Sequence, residues 1–184
     1  MAYLGIDQSL NGTGLCLISD DGKVLRLETV DPGGLRGVER LAFVKARAQA
    51  LLGLDVRFVA NEGYSYDSVG RVFELGEMGG VLKLLVHEHG IGLTTVAPSA
   101  LKKFATGKPS ADKAAMLKAA REAGVQPDDD NQADAFFLAE VARQFHLGDS
   151  IPTSRARLEV VHTLHQPKTK KPVRKLRRLV TNAM

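Results

Sequence analysis

LGIDQSLNGTGL, residues 4–15, is the stretch of sequence that decides the fold. Its first four residues form a short apolar run that ends on the acid Asp7, which is typical of a buried strand. Two more runs of strand-forming residues, 12–19 and 23–30, follow it and are separated by the turn Asp20-Asp21-Gly22. A turn of this composition between two apolar runs predicts a hairpin. We therefore expect three strands at the start of the chain, arranged as an antiparallel meander.

Beyond residue 30 the apolar spacing alternates between helical and extended types. Helical spacing covers residues 35–54, 69–89, 110–124 and 133–145, and short apolar strands cover 56–60 and 92–97. The order β-β-β-α-β-α-β-α-α predicts an α/β domain with a mixed five-stranded sheet and helices on both faces. Periodicity fades after Gly148, so we place the domain at residues 1–150 and a basic C-terminal tail at residues 151–184.

Composition excludes several classes of protein. Cys16 is the single cysteine, so neither an internal disulfide nor a multi-cysteine zinc site can form. No apolar run approaches the roughly 20 residues that cross a bilayer. The N-terminal MAYLGID lacks the pattern of a signal peptide. We therefore expect a soluble cytoplasmic protein without a membrane partner.

The net charge of +4 is divided unevenly along the chain. Residues 151–184 carry +8, from nine Lys or Arg and one Glu, whereas residues 1–150 carry −4. A basic segment on a mildly acidic body is typical of a protein that holds a polyanion through that segment. The alternative is a solvated terminus that only aids solubility.

Three acids stand where predicted elements begin or end. Asp7 ends the first strand, Glu62 follows the fourth, and Asp134 lies near the start of the last helix. Neighbouring strand ends in α/β sheets converge on one crevice, so we expect these carboxylates to lie together. A hard divalent cation would relieve their repulsion, and oxygen ligands suit Mg²⁺ or Mn²⁺. Two such ions about 4 Å apart support phosphoryl displacement. The alternative is that each acid only caps a helix or a strand.

The same residues carry a resemblance to the RuvC-type Holliday-junction resolvases. Residues 4–15 resemble the first motif of that family, in which G-I-D precedes T-G, and Val59-Ala-Asn-Glu62 resembles the second. Residues 101–103 and 110–113 resemble its basic strand-to-helix segment, and Gln132-Ala-Asp-Ala135 resembles its final helix motif. The match runs in order over residues 3–145. It implies an RNase H-like fold, a homodimer and Mg²⁺-dependent nicking of four-way DNA junctions, with two ions per active site.

The short chain and the form DDNxAD at residues 129–134 are similar to the phage-borne branch of that family. This similarity implies that the protein acts in the cytoplasm of a bacterium or of a phage-infected host cell.

The resemblance also implies roles for individual side chains. Asp7, Glu62 and Asp134 match the catalytic acids, and Lys113 matches a basic residue that faces the scissile phosphate. The family usually carries an acid three residues before the last aspartate, where this chain has Asn131. Either Asn131 or the neighbouring Asp130 therefore completes the metal site, and both remain candidates. The residues predicted to bind DNA are Lys102, Lys103, Lys108, Lys113, Tyr64 and Tyr66.

Tyr64 and Tyr66 follow Glu62 in the loop Gly-Tyr-Ser-Tyr-Asp-Ser. Aromatic side chains beside an active-site acid can stack on an unpaired base at the junction centre. The alternative is that their hydroxyl groups anchor the loop.

Other functions compete with the resolution of four-way junctions. A sugar-kinase or actin-type ATPase also begins with a Gly-Ile-Asp strand, but 184 residues cannot hold its second domain. A non-catalytic junction-binding protein would not need all three acids. The main rival is a nuclease of the same fold that trims forks and flaps.

The symmetry of a four-way junction favours a homodimer, because two equivalent strands must be cut. In the predicted helix 69–89, Gly76, Gly79 and Gly80 permit close approach of a second subunit. The apolar residues that we expect on the same surface are Val72, Leu75, Leu82 and Leu85. The alternative is that this helix packs only on its own sheet.

Overall fold

The computed structural model describes residues 1–63, 71–151 and 153–166. Within them, five strands form one sheet in the order β3-β2-β1-β4-β5. The strands are β1 (Ala2–Asp7), β2 (Thr13–Ser19), β3 (Val24–Val30), β4 (Val56–Glu62) and β5 (Gly92–Val96). The first three pair antiparallel, whereas β4 runs parallel to both β1 and β5. The predicted mixed five-stranded sheet is confirmed.

Helices cover both faces of the sheet. They are α1 (Gly37–Leu52), α2 (Val72–Glu88), α3 (Pro98–Thr106), α4 (Lys113–Glu122), α5 (Asp130–Leu147) and α6 (Arg155–His165). Side chains alternate across a strand, so Leu4 and Ile6 of β1 share a core with α1 and α2. Tyr3 of the same strand belongs to the opposite core, with α3, α4, α5 and α6. Cys16 and the pair Phe136 and Phe137 are buried in this second core.

Two glycines of residues 4–15 allow α5 to lie directly on β1 and β2. A Cβ atom on Gly5 would lie 2.0 Å from the carbonyl oxygen of Ala135. A Cβ atom on Gly14 would lie 2.1 Å from the carbonyl oxygen of Asn131. No side chain fits at these distances, so the glycines set the depth of α5 and bring its first turns to the end of β1.

Helices α3 and α6 are absent from the predicted element order. Helix α3 has nine residues, of which Leu101 and Phe104 are buried, and so short a helix shows little periodicity. Helix α6 lies inside the predicted tail, yet its Val160 and Val161 are buried in the same core as α3. Packing of the core therefore continues past residue 150, where the domain boundary is predicted, into α6. Residues 167–184 of the predicted tail lie outside the described residues.

Helix α2 corrects the predicted dimer surface. Gly79, Leu82 and Leu85 are buried, and Leu82 and Leu85 pack in the protein's own core beneath the sheet. Val72 and Gly80 are exposed, and Phe73 and Leu84 join them on the outer side, 88% and 57% exposed. The exposed surface of α2 therefore includes Phe73 and Leu84, and it lacks the predicted Gly79, Leu82 and Leu85.

No helix of the described ranges is both long enough and apolar enough to cross a membrane.

Candidate active site

Three secondary-structure elements deliver the three predicted carboxylates to one edge of the sheet. Asp7 is the last residue of β1 and Glu62 is the last residue of β4. Because β1 and β4 are parallel neighbours, with Ile6 opposite Asn61, the two acids end side by side. Their carboxyl groups share a hydrogen bond. Asp134 approaches them from the second turn of α5, the helix that the glycines of β1 and β2 admit.

Burial and mutual repulsion hold protons on this cluster. Burial, followed by repulsion from Glu62 and Asp134, raises the pKa of Asp7 well above its usual range. Burial and the charge of Asp134 raise the pKa of Glu62 to about 7. Burial and the charge of Asp130 raise the pKa of Asp134 to about 6. Three carboxylates with raised pKa values in one place are typical of a functional site.

Two of the predicted lysines lie within electrostatic reach of the carboxylates. Lys113, at the first position of α4, forms an ion pair with Asp130, which raises the pKa of the lysine. The charge of Lys102 on α3 opposes the rise in the pKa of both Glu62 and Asp134. These two side chains supply positive charge beside the acids.

The other two predicted lysines lie away from the carboxylates. The ammonium of Lys103 pairs with Glu159 of α6 at 2.9 Å. Lys108 lies in the turn between α3 and α4, where it lines a groove with Ser110 and Asp112. Tyr64 and Tyr66 fall outside the described residues.

The structure separates the acids at the start of α5 by role. Asp129 caps the helix, accepting from the Gln132 backbone N–H at 2.9 Å and from the Thr29 hydroxyl at 2.7 Å. Asp128 accepts from the Gln132 side chain at 3.1 Å. Asp129 is therefore the N-cap of α5, and Asp128 binds the Gln132 side chain beside it.

Asp130 and Asn131 have different surroundings. The charge of Asp130 raises the pKa of both Asp7 and Asp134, which places it on the carboxylate side of α5. Asn131 packs its carbonyl oxygen on Gly14, and its amide nitrogen lies 3.3 Å from where a Cβ on Gly12 would be. Asp130 therefore lies within electrostatic reach of the other acids, whereas Asn131 packs against Gly12 and Gly14.

The donor atoms of the cluster suit a hard divalent cation. All are carboxylate oxygens, and Oδ1 of Asp134 is buried without a hydrogen-bond partner. Carboxylate oxygens are the ligands that Mg²⁺ prefers. Over residues 1–63, 71–151 and 153–166, no three Asp, Glu, His or Cys side chains are placed so that they could hold a metal ion as they stand. Side-chain rotation and loss of protons would therefore accompany binding.

In the presence of a chelator, the melting temperature is expected to fall as the pH rises from about 5 to about 8. The folded state binds more protons than the unfolded state between the ordinary carboxyl pKa, near 4, and the raised values of about 6 and about 7. The stabilisation is complete below this window and is lost as the pH rises through it. Scanning fluorimetry across the pH range checks this, and a midpoint that rises with pH would contradict it.

The sequence analysis missed a polar network behind Glu62. Asn61 is 1% exposed; its amide donates to the Glu62 carbonyl oxygen at 3.0 Å and its Oδ1 accepts from Thr95 at 2.8 Å. This network fixes the end of β4. In the sequence, the only sign of it is an asparagine directly before Glu62, at the end of an apolar strand. Phe73 was also missed. It lies two residues after Arg71, whose guanidinium contacts Asn11 in the loop that follows Asp7.

The chain is similar to known proteins in both sequence and fold. A sequence model of the family described as crossover junction endodeoxyribonuclease RuvC matches residues 3–141. Among solved structures, Thermus thermophilus RuvC superposes with a TM-score of 0.69 at 24% identity, over 80% of this chain and 97% of that chain. The structure of T. thermophilus RuvC in complex with a Holliday junction substrate gives 0.66 at 23% identity, over 76% of this chain and 90% of that chain. No curated protein matches the sequence. At these identities the structural likeness shows a shared fold.

Proposed function

The chain belongs to the RuvC family of crossover junction endodeoxyribonucleases, and on that premise we propose that it resolves four-way DNA junctions by paired, Mg²⁺-dependent hydrolysis of opposing strands. The observation that carries the proposal is the convergence of Asp7, Glu62 and Asp134 from β1, β4 and α5, with Lys102 and Lys113 beside them. Such a cluster suits phosphoryl transfer, because carboxylates that repel one another in the free protein can bind divalent cations. Those cations would in turn bind the oxygens of the phosphate.

Asp7, Glu62, Asp134 and Asp130 would hold two Mg²⁺ ions in each active site. Mn²⁺ would be able to replace Mg²⁺. When bound, the metal activates water as a nucleophile and stabilises the leaving oxygen of the scissile phosphodiester. The protein contributes orientation: Asp7 and Glu62 lie on rigid strand ends, and Asp134 is fixed by the close packing of α5.

The lysines attract and orient the DNA backbone. Lys113 is paired with Asp130 in the free protein, and its side chain is 80% exposed, so it can exchange the carboxylate for a phosphate oxygen. Its position at the start of α4 adds backbone N–H groups that favour anions. Lys102 approaches the carboxylates from the α3 side and faces the same phosphate.

Phe73 extends the stacking role that the sequence predicts for Tyr64 and Tyr66. It is 88% exposed in the first turn of α2, and Arg71 ties that turn to the loop after Asp7. An exposed aromatic ring at this edge can stack on an unpaired base, an interaction worth about 1–3 kcal/mol.

The experiment that tests this function uses three labelled DNA substrates of equal length: a four-way junction, a fork and a linear duplex. With Mg²⁺ the protein is expected to nick the junction at symmetric positions on opposing strands, and with EDTA it should cut nothing. Stronger cutting of the fork would favour the fork-and-flap nuclease. Binding of the junction without nicks in either Mg²⁺ or Mn²⁺ would favour a non-catalytic junction-binding protein.

A homodimer would match the two-fold symmetry of this substrate, and the outer side of α2 supports one. Gly80 has open space around its backbone, and Leu84 lines an apolar groove with Val38 and Leu41 of α1. We infer that a second copy covers this surface.

Replacing Leu84 with glutamate is expected to weaken the dimer at least tenfold, since it places a charge in an apolar contact. The paired nicks should become uncoupled, while metal binding in each subunit is retained. Sedimentation and nick mapping provide the measurement. Leu54→Glu is the matched control, because Leu54 is 54% exposed but lies in the turn before β4. Equal effects of the two substitutions would contradict this surface.

The C-terminal segment is expected to add affinity without adding selectivity. Removing residues 167–184 takes away seven Lys or Arg and no acid, and it leaves α6 in place. The affinity for every DNA shape should fall, and the slope of log K against log salt should flatten by about 0.9 for each lost phosphate contact. Fluorescence anisotropy at several salt concentrations measures this. Removing only residues 181–184, which carry no charged side chain, is the control, and an unchanged slope after the longer truncation would support the solubility interpretation.

A further inference from the structure

Helix α6 lies beyond residues 3–141, the part of the chain that the family's sequence model matches. It packs on the helix that carries Lys102: Val160 and Val161 of α6 share a core cluster with Leu101 and Phe104 of α3. Leu101 and Phe104 belong to the same turn of α3 as Lys102. The placement of Lys102 therefore depends on the packing of α6 against this turn.

Arg157 joins α6 to both α3 and α5. Its guanidinium lies over the Phe104 ring, 4.7 Å from the centroid, and 6.0 Å from the centroid of Phe137 on α5. Its Nη1 donates to Oε2 of Glu140 at 3.3 Å. The side chain is 24% exposed. A planar guanidinium can stack on a ring and bind a carboxylate at once, which a lysine ammonium cannot reproduce.

Glu140 is a fixed point on the helix that carries Asp134. Its side chain is 9% exposed, and Arg143 binds it through two hydrogen bonds of 3.1 and 3.2 Å. Arg143 also donates to the Asp20 carbonyl oxygen at 3.0 Å, which ties α5 to the hairpin between β2 and β3. Arg157, which contacts both Glu140 and Phe104, thus fixes the position of α3 relative to α5, the helix that carries Asp134.

A second tie between the helices lies nearer the surface. Glu159 accepts from the Lys103 ammonium at 2.9 Å and from Arg155 Nε at 2.9 Å. The side chain of Arg155 is 92% exposed. Lys103, predicted to bind DNA, therefore fastens α3 to α6 in the free protein.

We propose that Arg157 is a positioning residue for the nuclease reaction: it clamps α3 onto α5 and so holds the Lys102 ammonium beside Glu62 and Asp134. Its effect on catalysis rests on the proposed function, whereas its effect on α3 does not. Arg157 acts through Phe104 and the turn of α3 that bears Lys102.

Cleavage kinetics on the four-way junction test the catalytic part. Arg157→Met is expected to lower kcat about tenfold and to leave KM within about twofold, because Lys102 would face the phosphate at the cleavage site and its misplacement there reduces the rate more than the binding of a large substrate. If Arg157 acts through Lys102, the double variant Arg157→Met/Lys102→Met should lose no more activity than Lys102→Met alone. Glu159→Gln should give a smaller loss in the same direction. Arg57→Gln, which removes an exposed ion pair with Asp55 at the start of β4, is the control and should stay within twofold of wild type.

Hydrogen exchange of the free protein tests the structural part without reference to activity. Arg157→Met should speed the exchange of amides in α3 several-fold and leave α4 unchanged. Unaltered exchange in α3, or losses of activity that multiply in the double variant, would overturn the proposal. Faster exchange in α3 of a protein that cuts no junction even as wild type would support the clamp and refute the nuclease function.

Discussion

Gly5→Ala is expected to destabilise the fold by about 3 kcal/mol, the upper end of the usual cost of overpacking, because the backbone atoms that it meets cannot move aside cheaply. The added Cβ would lie 2.0 Å from the Ala135 carbonyl oxygen and 2.4 Å from the Ala139 nitrogen. Relief requires α5 to withdraw from β1, which would carry Asp134 away from Asp7. Urea denaturation measures the loss of stability.

Gly53→Ala provides the matched control. Gly53 ends α1 in an ordinary right-handed conformation, and its nearest neighbour to a new Cβ is 3.9 Å away. The free energy of unfolding of this variant should stay within about 0.5 kcal/mol of wild type. If Gly5→Ala were equally mild, α5 would not lie on β1 as described.

Asp7→Asn is expected to reduce junction cleavage at least a thousandfold, the scale on which loss of one member of a concerted catalytic group acts. Junction affinity should be retained or improved, because a negative charge leaves the vicinity of the phosphate. Without metal, the melting temperature should rise, since Asp7 is 6% exposed and repelled by Glu62 and Asp134. Single-turnover cleavage, anisotropy and calorimetry measure the three effects.

Glu122→Gln is the control for the Asp7 variant. Glu122 is an exposed acid that pairs only weakly with Lys118 on α4, and all three measurements should match wild type. Cleavage by Asp7→Asn at the wild-type rate would show that the carboxylates are not the catalytic site. A lower melting temperature would show that the free carboxylate cluster is not under electrostatic strain.

The strands of the sheet and the positions of Asp7 and Glu62 at strand ends could be predicted because the sequence patterns that indicate them are local. An apolar run that ends on an acid marks both the strand and the polar end, and this holds for Asp7 and Glu62. Asp134 needed only the assignment of the last helix. The resemblance of the motifs then ordered these acids into one site.

The parts that could not be predicted depend on contacts between distant segments. Asp129 and Asp130 are neighbours, yet Thr29, 100 residues earlier, binds the first and leaves the second to face Lys113. Which face of α5 meets the sheet is set by Gly5 and Gly14, so the choice between Asp130 and Asn131 was open in the sequence.

Helix α6 was hidden by its composition. Its basic residues are typical of a solvated tail, but Arg157 buries its guanidinium between aromatic rings and an acid instead of exposing it. Charge is a poor guide to exposure when a partner such as Glu140 is supplied by a helix elsewhere in the chain.

Isothermal titration calorimetry of the DNA-free protein with Mn²⁺ or Mg²⁺ tests most directly whether Asp7, Glu62 and Asp134 act as one cation site. At about pH 6.5, binding should release protons, because the metal must displace those that the raised pKa values of about 7 and about 6 retain. Titrations in two buffers with different ionisation enthalpies measure that release. We expect binding with proton release in wild type and the loss of both in Asp134→Asn. An Asp134→Asn isotherm that superposes on that of wild type would contradict it.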